Sequence, residues 1–460
     1  MSSLSNARTD IVTGVDTKQR NMGRRSIQIC VLMVCGLCVA KILGSSILVL
    51  VLLAGFLGLM GWSATHGLAL PVLLFLVPWS PLMKLAPGGY SFFTFGLLLA
   101  AMVTAVKNKF VLKSYEWLGG FALAFVTLLS KLINGDMITV EYLLFMLQIV
   151  LFPLMVRESS KRNSFYDIAV AFSLGVVSAA LLANLCAEMP NISAYIDIHV
   201  YAGLTRLSGF YGDANFYSAH VSAALAAMLV LMLHTAGRQK LNVIVLTILL
   251  AYCGLLSVSK TFALVAALVV FCWFVYLVKQ IRSAGKKIAA VASVVVVLAV
   301  VVSIPAVADL LNTIWNRFAE ATDLNSLTTS RASTWGNYLN TIFSDPKLLL
   351  LGEGYDSSAM LSRLSNSMLF RAPHNTLIQT IYQLGLLGTI MLVLWNVYFI
   401  KDMVGVQGRA KSLPVLILCI GGFLPWLALD MLFFDEFFFI QAFVCCGIRE
   451  QKLLNGKKTD

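Results

Sequence analysis

The chain has 460 residues, of which 59% are hydrophobic and 12% are charged, and its mean hydropathy is +0.85. Soluble domains carry about 25% charged residues, so this composition excludes a soluble globular protein. The formal net charge of +12 would indicate a nucleic-acid partner in a soluble protein. Here the basic residues gather between hydrophobic stretches, so we expect a lipid bilayer as the partner and no nucleic acid.

Hydrophobic runs close to twenty residues long recur from Ser26 to Cys446. Such a run crosses a hydrocarbon layer of about 30 Å as a helix. We therefore predict an all-α polytopic integral membrane protein with about 12 to 14 transmembrane helices and one long external loop. The predicted spans are 26–43, 46–62, 65–84, 92–106, 114–133, 137–156, 165–187, 216–236, 241–257, 261–278, 288–305, 377–400, 412–429 and 431–447. The first two are short and separated only by Gly44-Ser45-Ser46, and without them about 12 remain.

Basic residues fall on alternate connections between these spans, from the N-terminal tail to Lys457 and Lys458. Cytoplasmic loops carry this excess, so both termini are expected in the cytoplasm. The chain then divides into a cytoplasmic basic tail (1–25), transmembrane helices (26–187), an external loop (188–215), transmembrane helices (216–305), a long external loop with the catalytic residues (306–376), transmembrane helices (377–447) and a cytoplasmic tail (448–460). The nine cysteines show no metal-binding spacing, and most are expected to pack within helices.

The first external segment leads into the next span through the sequence Arg206-Leu-Ser-Gly-Phe-Tyr-Gly-Asp-Ala-Asn-Phe-Tyr217. Arg206 offers a planar guanidinium suited to phosphate oxygens, and Asp213 and Asn215 are natural helix caps. The simpler alternative is that Arg206 pairs with Asp213. Lys260 follows in the short connection Ser257-Val-Ser-Lys260, where it either reaches the lipid headgroups or points into an aqueous cavity.

The long external segment holds arginines that the positive-inside trend does not explain, because its acidic residues offset its basic ones. With Arg206 these external arginines are Arg317, Arg331, Arg363 and Arg371. Arg331 begins a predicted amphipathic helix containing Trp335, and Gly352-Glu-Gly354 is read as a turn before Tyr355. The segment ends at His374-Asn375, directly before an apolar run. An imidazole accepts protons near neutral pH, although an isolated histidine there is as readily a helix cap.

The order of these motifs resembles the O-antigen ligase and O-antigen polymerase (Wzy-type) superfamily of bacterial membrane glycosyltransferases, which have a GT-C-like fold. The resemblance rests on five groups of residues across roughly 200–400: Arg206 with Gly212-Asp-Ala-Asn-Phe216, Ser257-Val-Ser-Lys260, Ser330-Arg331 with Trp335, Leu351-Gly-Glu-Gly354, and His374-Asn375 with Gln379 and Leu384-Gly385. The family often has arginine at the position of Lys260 and proline at that of Ala214.

The resemblance implies transfer of a glycan from an undecaprenyl-pyrophosphate carrier to a sugar hydroxyl, with inversion and without a metal or other cofactor. Arg206, Arg331 and Lys260 would bind the pyrophosphate, and His374 would be the general base. Candidate substrate-orienting residues are Asp213, Asn215, Asn375, Tyr355 and Asp430. Asp430, Asp435 and Glu436 are also open to a capping, sugar-binding or cation-binding role. The expected location is the bacterial cytoplasmic (inner) membrane, with the active site on the periplasmic face.

The acceptor decides between two activities that share this donor. A polymerase extends an O-antigen, capsule or exopolysaccharide, whereas a ligase delivers the glycan to a lipid A-core acceptor. The 325–390 motifs resemble polymerases more than ligases. The resemblance also implies a chain-length regulator and a flippase as partners from the same pathway. A flippase or transporter of lipid-linked oligosaccharide is the alternative of another class, but it would place charges near the bilayer midplane.

Overall fold

The computed structural model describes residues 17–86, 90–135, 138–189, 191–196, 199–201, 204–354, 372–405, 410–432 and 434–456. Tyr355, Arg363, Arg371, Lys457 and Lys458, which were named from the sequence, lie outside this described part. Most of the described chain is helical, and its two strands form one short antiparallel ladder. The all-α prediction is therefore confirmed.

In the first half of the molecule, the described residues form seven α-helices, the short ladder and a 3₁₀ turn at Ser193–Tyr195. In chain order these are α1 (Thr17–Ile42), α2 (Ser46–His66), α3 (Ala69–Leu76, continued by a 3₁₀ turn to Leu82), α4 (Phe92–Lys107), α5 (Gly120–Ile133, preceded by a π turn from Tyr115), α6 (Val140–Arg162), α7 (Phe165–Cys186), β1 (His199–Tyr201) and β2 (Leu204–Arg206).

The second half alternates long apolar helices with short polar ones. These are α8 (Ala214–Met232), α9 (Gly237–Leu256), α10 (Lys260–Gln280), α11 (Ala284–Val302), α12 (Pro305–Ala319), α13 (Leu324–Leu327), α14 (Arg331–Ser344), α15 (Pro346–Leu351), α16 (Thr376–Val404), α17 (Ser412–Phe423, continued by a 3₁₀ turn to Ala428) and α18 (Asp435–Gly456). Each predicted span overlaps one of these helices, counting α3 and α17 with their 3₁₀ extensions.

Nine helices in the described part are long and apolar enough to cross a membrane, and α3, α4 and α17 are shorter apolar helices. The outer helices expose large apolar side chains such as Leu32, Ile47 and Phe125, a pattern that a bilayer would cover. By contrast, α8 is buried along almost its whole length among α7, α9, α10 and α17. Its many alanines and serines allow this close helix packing. The chain is a multi-pass membrane protein.

Short polar side chains begin many of the helices. The side-chain oxygen of the residue before the helix accepts a hydrogen bond from an amide in its first turn, which satisfies donors that have no partner within the helix. These caps are Ser45, Ser91, Thr139, Ser164, Asp213, Ser259 and Asn375. Two of the sequence motifs, at Asp213 and Asn375, therefore start α8 and α16.

The segment expected as a long external loop is helical over much of its described length, in α12 to α15. Leu310 and Ile314 of α12 pack against Val258, while Tyr338 and Ile342 of α14 pack against α16. Each pair is spaced by four residues and so lies on one helix face. These helices form a layer on the end of the bundle that carries His374.

Helix α16 is interrupted at Gly385, whose φ of +62° and ψ of −176° are not helical. The carbonyls of Tyr382 and Gln383 instead accept hydrogen bonds from the amides of Glu353 (2.9 Å) and Gly354 (3.0 Å). Gly352 packs against the same backbone, and a Cβ added to it would lie 2.4 Å from the Gln383 oxygen. The predicted turn at 352–354 is thus a docking point for the break in α16.

A buried ion cluster joins α5, α6 and α16 at the other end of the bundle. Arg157 of α6 pairs with Glu116 and with Asp402, the latter at 3.2 Å. Asp402, near the end of α16, also accepts hydrogen bonds from Lys113 and from the Tyr115 hydroxyl (3.0 Å). Charges held together out of water are costly unless paired, so this cluster fixes the three helices relative to one another.

Candidate functional site

Arg206 lies at the end of β2, against the connection between α9 and α10. Its Nε donates to the Ser257 carbonyl at 3.0 Å, and its Nη2 lies 3.5 Å from Asn215 Oδ1. Ser259 Oγ donates to the same Asn215 oxygen at 2.9 Å. The first two sequence motifs are therefore joined. Asp213 accepts a hydrogen bond from the amide of Asn215 and so caps α8.

The connection between α9 and α10 is held from the layer above it. Val258 adopts a left-handed conformation with φ of +49°, and its carbonyl accepts a hydrogen bond from Arg317. Lys260 extends toward the same layer, where Nζ donates to the Leu327 carbonyl at 3.3 Å and lies 5.6 Å from the centre of the Phe318 ring. Arg317 and Lys260 thus bring two cations close to this connection.

Arg331, the first residue of α14, is half-buried between that layer and the turn after α17. Its Nη1 donates to the Ala428 carbonyl at 3.0 Å. Burial lowers the pKa of the guanidinium, and the carboxylates of Asp213 and Asp430 raise it. An arginine stays charged under either influence. Arg331 therefore places a permanent positive charge beside two carboxylates.

His374 precedes the cap of α16 and is held through its backbone. Asp430 accepts hydrogen bonds from the amides of His374 and Asn375, both at 3.0 Å. The imidazole Nδ1 lies 3.7 Å from Asp430 Oδ2, and the side chain of His374 is 39% exposed. Trp335 of α14 donates to the Pro373 carbonyl at 2.7 Å. The histidine is thus fixed from two sides while its ring stays accessible.

Asp430 is the residue that organises this corner. Burial raises the pKa of its carboxyl, although His374, the two amides and Arg331 favour the charged form. Asn375 caps α16 through the amides of Leu377 and Ile378 and donates to the Leu427 carbonyl at 3.2 Å. Hydrogen bonds to the charged Asp430 and to the neutral Leu427 carbonyl therefore hold the turn after α17 against the start of α16.

A cavity of about 770 Å³ opens beside His374. Asp213 and Asp430 line it together with Asp435 and Glu436 at the start of α18. Asp435 accepts from Thr94 (2.8 Å) and Gln148 (2.6 Å), and Glu436 accepts from the Tyr211 hydroxyl at 3.0 Å. Burial raises the pKa of Tyr211 well above its ordinary value, so this hydroxyl remains a donor.

The structure divides the candidate site residues into those that line this cavity and those that do not. His374, Asp213 and Asp430 line the cavity, whereas its lining does not include Arg206, Arg331, Lys260, Asn215 or Asn375. Sequence reasoning missed Lys84, Thr94, Gln148 and Tyr211 as cavity residues. Only Tyr211 lay inside a motif, since the others come from α4, α6 and the chain after α3, where nothing local distinguishes them.

The carboxylates do not form an evident metal site. Among the residues that the structure describes, no three or more histidine, cysteine or acidic side chains are grouped so that they would hold a metal ion. Asp435 and Glu436 instead bind neutral donors on their own neighbours. Hydrogen-bonded carboxylates of this kind are suited to sugar hydroxyls.

Comparison with known families gives one match. Residues 245–393 match the family model described as O-antigen ligase. The matched region runs from α9 through the first part of α16, and it contains Lys260, Arg331 and His374. The resemblance expected from the motifs is confirmed. No curated protein matches the chain.

Proposed function

We propose that the chain is a glycosyltransferase of the O-antigen ligase and polymerase type, because residues 245–393 match the O-antigen ligase family model, and that it polymerises a surface polysaccharide. The donor in this proposal is a glycan on undecaprenyl pyrophosphate, and the acceptor is a second lipid-linked glycan. Transfer takes place at the outer face of the bacterial cytoplasmic membrane. The observation that carries the proposal is His374, held by Asp430 at a cavity with arginines around it.

His374 is the general base in this mechanism. With Nδ1 directed to Asp430, Nε2 is the nitrogen that accepts the proton of the acceptor hydroxyl. The hydroxyl oxygen forms a bond to the anomeric carbon of the donor as the carbon–oxygen bond to pyrophosphate breaks. The electron pair leaves with the lipid pyrophosphate. Displacement from the opposite side inverts the anomeric configuration.

The cations around the cavity stabilise the departing pyrophosphate. Arg331 and Arg206 supply charge-assisted hydrogen bonds, which strengthen as negative charge grows on the leaving group. Lys260 contributes a third charge near the connection that Arg317 supports. These side chains provide the charge that a metal ion supplies in other transferases, so we propose that transfer is metal-independent.

The carboxylates in the cavity are proposed to orient sugar. Asp213, Asp435 and Glu436 lie on the cavity wall with Asp430, and their oxygens accept hydrogen bonds. Asn215 accepts a hydrogen bond from the Ser259 hydroxyl, Asn375 accepts one from the amide of Ile378, and neither lines the cavity. Tyr355 remains a substrate-orienting prediction outside the described residues.

A ligase uses the same donor and chemistry, so a product assay must separate it from a polymerase. Purified protein would be incubated with the lipid-linked repeat unit alone, and the mass of the products measured. Lengthened lipid-linked glycans support polymerisation. Transfer only after addition of lipid A-core would identify a ligase instead. Movement of the donor across a reconstituted bilayer with no glycan transfer would favour a flippase and contradict the proposal. Activity in the presence of a chelator tests the metal-independent step.

A further inference from the structure

A second cavity, of about 570 Å³, lies between α1, α3, α7 and α9. Its polar part is lined by Arg20 and Arg24 of α1 and by Arg238 at the start of α9, with the amides of Asn163 and Asn242 beside them. None of these residues belongs to the site around His374. We call this cavity the arginine cleft.

The arginine cleft lies at the opposite end of the bundle from His374. Lys41, near the end of α1, donates to the carbonyls of Lys84 and Leu85, and Lys84 lines the cavity beside His374. Arg24 precedes Lys41 on the same helix by a distance of roughly 26 Å, at 1.5 Å per residue. The two cavities therefore open toward opposite membrane surfaces.

The charge in the arginine cleft is positive. Among the described residues that line it, Asp167 is the one carboxylate. That carboxylate is already engaged, since Arg20 Nε lies 3.4 Å from Oδ1 and Ser164 Oγ lies 2.6 Å from Oδ2. Arg24 and Arg238 are exposed on the two sides of the cleft. Two guanidinium groups thus remain for an anion.

The rest of the cleft is apolar and runs along α7. Val170, Ala171 and Leu174 follow Asp167 at intervals of three, four and seven residues, so they share its helix face. This face covers about 10 Å from Asp167 toward the middle of α7. Ile27 of α1 forms the facing wall. A cationic rim above an apolar wall has the polarity of an anionic lipid rather than that of a soluble phosphate.

We propose that the arginine cleft binds an anionic phospholipid of the membrane leaflet opposite the proposed active site. Its phosphate lies between Arg24 and Arg238, where guanidinium groups bind phosphate oxygens through paired hydrogen bonds. One acyl chain lies along Ile27, Val170 and Leu174. The bound lipid joins α1 to α7 and α9, in addition to the Arg20–Asp167 pair between α1 and α7 and the hydrogen bond from Asn242 of α9 to the Tyr166 hydroxyl of α7. The proposal does not depend on the glycosyltransferase activity.

Delipidated wild-type protein in a neutral detergent provides the test. Phosphatidylglycerol is titrated against phosphatidylcholine with the same acyl chains, and binding is followed by native mass spectrometry and by the increase in Tm. The cleft variant carries Arg24→Gln and Arg238→Gln. The matched control carries Arg25→Gln and Lys240→Gln, which removes two exposed charges from the same chain segments but outside the cleft lining.

We expect the cleft variant to bind phosphatidylglycerol at least about tenfold more weakly than wild type, since charge-assisted bonds are lost. The control should bind as wild type does. An equal loss in both variants would mean general surface attraction and would overturn the proposal. Because the substituted arginines are exposed, the Tm without lipid should be unchanged, which checks folding.

Two further measurements distinguish a lipid from a soluble phosphate. Leu174→Gln keeps every charge and should weaken phosphatidylglycerol binding while leaving the weak effect of glycerol 3-phosphate unchanged. If glycerol 3-phosphate raised the Tm of wild type as much as phosphatidylglycerol at equal concentration, the ligand would be a soluble phosphate and the lipid assignment would be wrong. Equal effects of the two phospholipids would also overturn it.

Discussion

His374 has a left-handed backbone conformation, with φ of +47°. This conformation is uncommon for a residue other than glycine and costs on the order of 1 kcal/mol or more. The hydrogen bonds from the amides of His374 and Asn375 to Asp430, together with the cap by Asn375, hold this conformation. The surrounding structure therefore fixes the direction in which the imidazole leaves the chain, as a positioned base requires.

His374→Ala should retain folding and donor binding but lose on the order of 10²–10⁴ in turnover, because the proton acceptor is removed. Product formation from a lipid-linked donor by reconstituted protein measures this loss. His66→Ala, at the far end of α2, is the matched control and should leave turnover unchanged. Full glycan transfer by the alanine variant at position 374 would exclude the base role.

Arg206→Ala and Arg331→Ala should each lose more than about 2 kcal/mol of transition-state stabilisation, because a charge-assisted bond is removed. Substitution by lysine should rescue only part of the activity, since the planar pair of donors is lost. The ratio of kcat/KM values gives the loss. Arg282→Ala, in the exposed connection between α10 and α11, serves as the control. Normal activity of either alanine variant at wild-type protein level would assign that arginine a surface role.

The pH dependence of turnover should reflect the ionisation of Asp430 as well as that of the base. Burial raises the pKa of Asp430, so as the pH falls from neutral this carboxyl takes up a proton earlier than an exposed aspartate does. A protonated carboxyl accepts the amides of His374 and Asn375 less well. Both this change and protonation of an imidazole base lower turnover at acidic pH, so activity should fall as the pH decreases.

Asp430→Asn removes the first of these two ionisations. Turnover at neutral pH should fall about tenfold, the equivalent of one hydrogen bond of roughly 1.4 kcal/mol. The acidic side of the pH profile should also become shallower than that of wild type. A variant with normal turnover and an unchanged profile would show that Asp430 does not position His374.

At the scale of elements, the break in α16 depends on two glycines. Gly352 and Gly385 both have positive φ, and a Cβ on either would lie 2.4 Å from a backbone oxygen of the facing segment. Gly352→Ala or Gly385→Ala should therefore lower the free energy of unfolding by about 2–4 kcal/mol, combining backbone strain and overpacking. Thermal unfolding in detergent measures the change.

Gly336→Ala is the matched control for these variants. Gly336 lies within α14, and an added Cβ meets nothing within 4 Å. Alanine should be neutral there or stabilise the helix by up to about 1 kcal/mol. A Gly385→Ala variant as stable as this control would mean that the break does not require glycine.

Hydropathy predicted the membrane helices because burial in lipid demands long apolar runs, and each run contains a helix. The same reasoning missed α12, α13 and α15. The apolar contacts of α12 and α15 are made with the ends of the long helices, through Leu310, Ile314 and Leu348. The break at Gly385 depends on amides thirty residues away, at Glu353 and Gly354. Local periodicity carries no information on such a pairing.

The sequence likewise predicted only some residues of the candidate site. Motifs drew attention to Arg206, Arg331 and His374, since their residue types suit phosphate binding and proton transfer. Thr94 and Gln148 come to the cavity from α4 and α6, which showed only hydrophobic character. Their placement follows from the packing of those helices against α18, which the sequence pattern does not specify.

At the scale of the whole molecule, the alternating basic connections predict which surface each segment faces. Ser344→Cys, at the exposed end of α14, should react with a membrane-impermeant thiol reagent in intact spheroplasts. Ser283→Cys, in the connection after α10, should react only after permeabilisation. Both signals are compared with parent protein, because nine native cysteines are present. The reverse pattern would overturn the proposed topology and the location of the active site.

The ion cluster at Asp402 and the cap at Asn375 hold the two ends of α16, and the helix is not continuous between them. A continuous rod would carry any displacement of His374 to the opposite membrane surface. With the interruption at Gly385, a shift of the first nine residues can be taken up by rotation at one backbone position. We therefore expect the enzyme to rearrange around a bulky glycan while the far half of the bundle stays closed to protons and ions.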